Sequence, residues 1–247
     1  MTEEFRHNNS VAPLRNVVAL VELIERVNQR GPGLPGLGVF YGWSGYGKTT
    51  AAVYAANKFR AYQVEVKSVW TKKKLCTEIL RDMGVLPAKT ISDMVDQIAQ
   101  ELARNSRPLL IDEIDHLVDR NMIEIVRDIH ESSGATIILI GEEKLPRKLM
   151  AWERVHGRIL DWVAAEEGQI DDVGYLAAIY CPGVSLEEDL KLQVLEESHR
   201  SIRRISINLE RIKEFAQTRN LKSVGLKDWD NRPFFTGEAP TPRRAPK

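Results

Sequence analysis

The chain has no excess of either charge. Its 35 lysines and arginines are balanced by 35 aspartates and glutamates over 247 residues. A protein that grips nucleic acid as a single copy commonly carries a basic excess. Any such binding here has to come from local patches, from their repetition in an oligomer, or from both. Cysteine is scarce: Cys76 and Cys181 are the only two. They could pair once at most, which excludes a disulfide framework. Long hydrophobic runs are missing as well. No segment approaches the roughly 20 apolar residues needed to cross a bilayer, and the polar start MTEEFRHNNSVAP lacks the apolar stretch of a secretory signal. No internal repeat is visible. These absences lead to the expectation of a soluble cytoplasmic protein with no membrane partner. The hydrophobic content of 43% suffices for a core, and the length allows one large domain or a core with a small appendage.

Along the chain, residues 1–13 read as a flexible arm. Leu14, Val17, Val18, Val21 and Ile24 then recur at helical spacing, and RGPGLPG breaks that helix. LGVFY reads as a short buried strand and TTAAVYAANKFRA as the helix after it. YQVEVKSVW (62–70) alternates as a second strand. KKLCTEILRDMGV and ISDMVDQIAQELARN follow as amphipathic helices, and PLLIDEID is a buried strand ending in acids. RNMIEIVRDIHESSG is a helix stopped at Gly134, ATIILIGEE is a fourth strand, and RILDWV (158–163) is a fifth. Short apolar strands alternating with helices predict an α/β fold, a parallel sheet flanked by helices. Beyond Ala164 only helical patterns are seen. The expected division is a core at 14–164, a small C-terminal helical subdomain at 165–225, and a disordered tail at 226–247 that ends in the proline-rich TGEAPTPRRAPK.

The run YGWSGYGKTT contains Gly42-x-x-x-x-Gly47-Lys48-Thr49, the G-x-x-x-x-G-K-[ST] phosphate-loop pattern. Glycines let successive backbone N–H groups face phosphate oxygens without a Cβ in the way, and the following helix offers its positive end to the same anion. Gly42, Ser44, Gly45, Tyr46, Gly47, Lys48, Thr49 and Thr50 form the candidate cradle, with Lys48 directed to the β- and γ-phosphates and Thr49 to Mg²⁺. Trp43, Ser44 and Tyr46 are variable filling. The strand LLIDEID brings Asp112 and Glu113 to the same sheet edge. Asp112 is the expected magnesium partner with Thr49, and Glu113 is suited to polarise an attacking water as general base. An acid directly after the magnesium aspartate points to ATP hydrolysis rather than storage. The expected cofactors are therefore ATP and Mg²⁺.

Through GWSGYGKTT, LLIDEID, ILIGEE, ERVHGRI and HRSIRRI, the chain resembles the AAA+ ATPases over about residues 10–225. Within them it is most similar to the B-type (Mu B-like) target-selection ATPases of transposing phages and related transposon ATPases. The resemblance implies a P-loop NTPase fold, a five-stranded parallel sheet in the order 5-1-4-3-2 with a helical lid. It puts Glu142 at the polar sensor position after the fourth strand, although Asn or Thr is usual there. Arg158 matches the arginine that reaches a neighbour's nucleotide, with Arg154 as competitor, and Arg203 matches the lid arginine, with Arg204 second. Glu113, Arg158, Glu142 and Arg203 are thus the expected catalytic set.

The resemblance further implies head-to-tail homo-oligomers, in the form of helical filaments on double-stranded DNA, and a DDE-type transposase as the recruited partner of a phage-encoded protein in a bacterial host. Thr71, Lys72, Lys73 and Lys74 are the candidate DNA contacts: one such patch per subunit would follow a phosphate backbone without reading bases, and assembly would supply the avidity that a neutral chain lacks. Lys144, Arg147 and Lys148 form a weaker cluster. A secretion or assembly ATPase and a helicase or replication loader are the alternative readings.

Overall fold

The computed structural model describes residues 14–230 and 232–238. The expected arm at 1–13 and the end of the tail lie outside them. The described residues divide into two compact units, Arg15–Glu166 and, with Leu14, those from Glu167 onward.

The first unit opens with α1 (Arg15–Asn28), which buries Val17, Leu20, Val21, Leu23, Ile24 and Val27. Val18 of the expected stripe is exposed, and the polar Asn16 is buried instead. The chain continues through β1 (Leu37–Tyr41), α2 (Lys48–Phe59), β2 (Tyr62–Glu65), α3 (Lys72–Asp82), α4 (Ile91–Asn105), β3 (Leu109–Asp112), α5 (Asp115–Asp119), α6 (Glu124–Ser133), β4 (Ile137–Gly141), α7 (Leu145–Leu149), α8 (Glu153–His156) and β5 (Ile159–Ala164). The five strands are all parallel, in the order β2-β3-β4-β1-β5, the order the resemblance implies.

Side chains alternate across the sheet. Leu37, Val39, Tyr62, Val64, Leu109, Ile111, Ile137 and Leu139 join the core formed with Leu75, Ile79, Met94, Ile98, Ile125 and Ile129 of α3, α4 and α6. The opposite face meets α1 so closely that a Cβ on Gly38 would lie 3.1 Å from Val27 and 3.2 Å from Leu23. The second strand is shorter than its alternation predicts. β2 has β3 as its one neighbour, and β3 ends at Asp112, the partner of Glu65. Past that point a turn forms, with Trp70 N–H donating to the Lys67 carbonyl.

The second unit contains α9 (Ile170–Tyr180), β6 (Ser185–Leu186), α10 (Glu188–Glu197), α11 (Ile202–Arg219), β7 (Ser223–Val224) and α12 (Leu226–Trp229). Val173, Leu190, Val194, Ile205, Leu209 and Ile212 are fully buried in it. The helices are joined by a two-residue parallel pair, β6 with β7, which the helical patterns after Ala164 do not announce. Order also continues beyond residue 225, where disorder is expected. Asn208 is fully buried and holds Phe235 at both backbone atoms, accepting from its N–H at 2.7 Å and donating to its carbonyl at 3.1 Å. Trp229 stacks on Phe234. Aromatic burial outweighs the proline-rich composition there. Among the described residues no helix is long and apolar enough to cross a membrane. Cys76 and Cys181 are both free and buried, and burial pushes each thiol up to about 11.

Candidate nucleotide site

All strands being parallel, their C-terminal ends share one edge of the sheet, the usual position of a ligand crevice in such folds. The phosphate-loop residues leave β1 at that edge. Gly42 N–H donates to the Gly141 carbonyl, extending the β1–β4 pairing by one step. A Cβ on Gly42 would come within 2.9 Å of Ala165, so the backbone there has no room for a side chain. Gly45 and Gly47 have φ of 86° and 83°, in the left-handed region that L-residues avoid. Gly47 is the N-cap of α2. Lys48, Thr49 and Thr50 form the first turn of that helix, whose N–H groups have no intrahelical acceptor and favour an anion.

Lys48 Nζ donates to the carbonyls of Gly42 at 2.6 Å and Trp43 at 3.0 Å. Burial lowers its pKa, opposed by the negative charges of Asp112, Glu113, Asp115 and Glu142. Four carboxylates thus act electrostatically on one lysine. Asp112 is 1% exposed and hydrogen-bonded to Thr49. Its Oδ1 accepts from Glu113 N–H at 2.9 Å, while Oδ2 is buried without a hydrogen-bond partner among the described residues. An orphaned carboxylate oxygen beside a threonine hydroxyl, at a helix N-terminus suited to phosphate, fits a hard divalent cation. Thr49 and Asp112 are the residues that would hold Mg²⁺, which supplies charge neutralisation to phosphate oxygens when bound. Burial raises the pKa of Asp112 from its ordinary value.

Glu113 follows with φ of 56°, a conformation uncommon outside glycine. It is half-buried, and burial, followed by the charge of Asp112, raises its pKa. A carboxyl with an elevated pKa that faces the phosphate loop's lysine has the character of a proton acceptor.

Three supports carry no motif of their own. Asp115, 3% exposed, accepts from Glu142 N–H at 2.7 Å and lies 2.9 Å from Lys148 Nζ. Lys148 also meets Asp119 at 2.9 Å. Burial pulls Lys148 down, but its hydrogen bonds to Asp115 and Asp119 outweigh this and hold its pKa above the usual value. Lys148 therefore belongs to this network and not to a surface basic cluster. The third support is Asn16. Its Nδ2 donates to the carbonyls of Tyr46 at 2.8 Å and Glu166 at 2.7 Å, and its Oδ1 accepts from Glu166 N–H at 2.8 Å. It ties α1, the phosphate loop and the end of the unit together. In the sequence it is only a polar residue one step from the apolar stripe of α1, with nothing to mark these partners.

Of the other expected residues, Glu142 stands at the β4 exit on the same edge, exposed, and within electrostatic reach of Lys48 and Glu113. Ser44 and Thr50 are exposed on the loop and the helix. Thr71 caps α3, its hydroxyl accepting from Lys74 N–H at 3.2 Å. Lys72, Lys73 and Lys74 are exposed in the first turn of α3, with Lys74 paired to Glu78 at 2.6 Å. Arg158 is elsewhere. It directly precedes β5, its carbonyl accepts from Leu37 N–H at the start of β1, and its guanidinium pairs with Glu131 at 2.8 Å. The full length of β1, roughly 15 Å at strand rise, separates it from the phosphate loop of its own chain. Arg154 is exposed and lines a cleft with Arg127, Glu131 and Arg158. Arg203 is exposed in the first turn of α11, in the second unit, and Arg204 lies against Gly237.

Residues 33–149 match the family described as AAA domain. The fold is that of an AAA+ P-loop NTPase. The AAA+ fold is shared with three solved structures. They are the ORC1 protein of Aeropyrum pernix in complex with DNA (17% identity, TM-score 0.59, covering 86% of this chain and 62% of that one), Drosophila ORC bound to DNA (15%, 0.61, 89% and 61%) and Cdc6p from Pyrobaculum aerophilum (14%, 0.60, 89% and 66%). The chain spans just under two thirds of the length of each. No curated protein matches it in sequence.

Proposed function

We propose that the chain is a Mg²⁺-dependent ATPase whose nucleotide state controls its assembly on double-stranded DNA. The observation that supports this most is the convergence of Lys48, Thr49, Asp112 and Glu113 at one sheet edge, with Glu113 held in a strained backbone conformation. In this reading Lys48 and the first turn of α2 bind the phosphates, and Glu113 takes a proton from the attacking water. Arg158, a strand length away from its own loop, acts on a neighbouring subunit, so the active form is a head-to-tail homo-oligomer, a filament where the ring does not close. Thr71 and Lys72–Lys74 contact the DNA backbone. Three cations at the positive end of α3 oppose the helix dipole by about 0.3–1 kcal/mol each, and Lys74 alone has an intrahelical carboxylate partner. Phosphates would relieve that repulsion. DNA binding of this kind is sequence-tolerant and suits recruitment of a DDE-type transposase to target DNA.

The test is gel retention of a random duplex with no nucleotide, with ADP and with ATP. Retention in ATP alone is expected, prolonged in Glu113→Gln and lost in Lys48→Ala. No retention under any nucleotide condition would overturn the DNA reading. The likeness to ORC1, ORC and Cdc6p structures favours a second reading, a replication loader. Co-purification with a replicative helicase instead of a transposase would select it.

A further inference from the structure

We propose that the second unit carries a further nucleic-acid contact, a phosphodiester-binding cleft formed by Arg211, Arg219 and Arg232. It rests on the DNA reading above and extends it to residues that no motif marks. The cleft has a volume of about 390 Å³, and Phe215, Trp229 and Glu214 also line it. The guanidinium carbons of Arg219 and Arg232 lie 4.8 Å and 4.6 Å from the centroid of one ring, Phe215. That of Arg211 lies 5.3 Å from Phe235. Such contacts occur about once per 70–80 residues; three within residues 211–235 concentrate them in one place.

Their charges are not neutralised by the fold. Among the described residues none of the three arginines has a carboxylate within ion-pair distance. Sharing a ring keeps Arg219 and Arg232 within about 10 Å of each other, the screening length at 0.1 M salt. With Glu214 counted, the lining retains an excess of two positive charges. Stacking on a ring restrains a guanidinium while leaving its in-plane N–H groups free, the arrangement suited to bidentate phosphate binding.

The surroundings decide between classes of anion. All three arginines are exposed, so the cleft lacks the enclosure that holds a small free anion and suits an extended one. Phe215 and Trp229 are 6% and 4% exposed. They back the arginines without offering a face on which a base could stack or an apolar anchor for an acidic protein. The remaining match is a charged backbone read without regard to sequence.

The experiment uses the full chain with ATP, Mg²⁺ and a fluorescent random duplex. Binding is titrated across salt for the wild type, for the triple variant Arg211→Gln/Arg219→Gln/Arg232→Gln, and for the corresponding Arg→Lys triple. Expected is a loss of at least tenfold in affinity at 0.15 M salt for the glutamine variant. Its log–log salt slope should be shallower by about 0.9 per lost phosphate contact, with ATP affinity unchanged and most of the slope kept by the lysine variant. If the glutamine triple does not fold, Arg232→Gln alone, outside any helix, is read the same way. Unchanged affinity and slope in a variant of a DNA-binding wild type overturns this inference and leaves the proposed function standing. Absence of duplex binding by the wild type overturns both. Equal competition by poly-glutamate and duplex would overturn it in favour of an acidic protein partner.

Discussion

Glu113 is the residue at which backbone cost and chemistry meet. A left-handed conformation costs an L-residue about 1–2 kcal/mol. It is held because Asp112 Oδ1 takes the Glu113 N–H and Ile114 N–H returns to the Ile140 carbonyl at 3.0 Å. Glycine would relieve the strain, less the extra freedom it gives the unfolded chain. Glu113→Gly is therefore expected to raise stability by about 0.5–1 kcal/mol, or roughly 1–4 °C in Tm, while turnover falls at least a hundredfold, as for loss of a general base. A lower Tm by calorimetry would count against the strain. The pH dependence has a definite sign. Burial lifts the Glu113 pKa above its ordinary value of about 4.3, and a protonated carboxyl cannot accept a proton. Hydrolysis should fall on acidification through that raised value, with kcat/KM against pH as the measurement. The loop and the two acids were legible in the sequence because their chemistry requires contiguous residues. Asn16, Asp115 and Lys148 were not, because their partners are 30 to 150 residues away or across two loops. A polar residue on a helix says nothing of what it will face.

At the scale of elements, the β4 exit is a tight joint. A Cβ on Gly141 would overlap Asp115 Oδ2 and stand 2.8 Å from Leu145. Gly141→Ala has to move the carboxylate that holds Glu142 N–H and Lys148. The expected cost is about 1–3 kcal/mol, typical of overpacking, and Asp115→Asn, which keeps the shape, should be milder in denaturant unfolding. Turnover should suffer in both. Alternating strands and helices identified the parallel sheet, since buried strands and amphipathic helices have different periods. Lengths were less legible. β2 stops where β3 runs out of partner residues, which no local pattern records. The pair β6–β7 is two residues long on each side, too short for any periodicity. Residues 226–238 read as tail because proline dominates the end, yet Trp229, Phe234 and Phe235 give that stretch something to bury.

At the scale of the assembly, Arg158 gives the clearest test. Its pair with Glu131 is exposed, so Arg158→Ala should cost under about 1 kcal/mol of stability. Arg158→Ala and Glu113→Gln should each be inactive alone. Mixed in equal parts, they should recover about a quarter of wild-type hydrolysis, the share of head-to-tail interfaces that join an intact Glu113 to an intact Arg158. No recovery in an assembly that forms would mean that Arg158 does not act across subunits. Trp43 bears on how all of this can be measured. It is 58% exposed, the most open of the five tryptophans, and its carbonyl accepts from Lys48 Nζ. A lysine drawn off that carbonyl by phosphate would change the surroundings of the indole. The loop therefore contains its own fluorophore, and occupancy can be followed as an emission change that a Trp43→Phe variant removes.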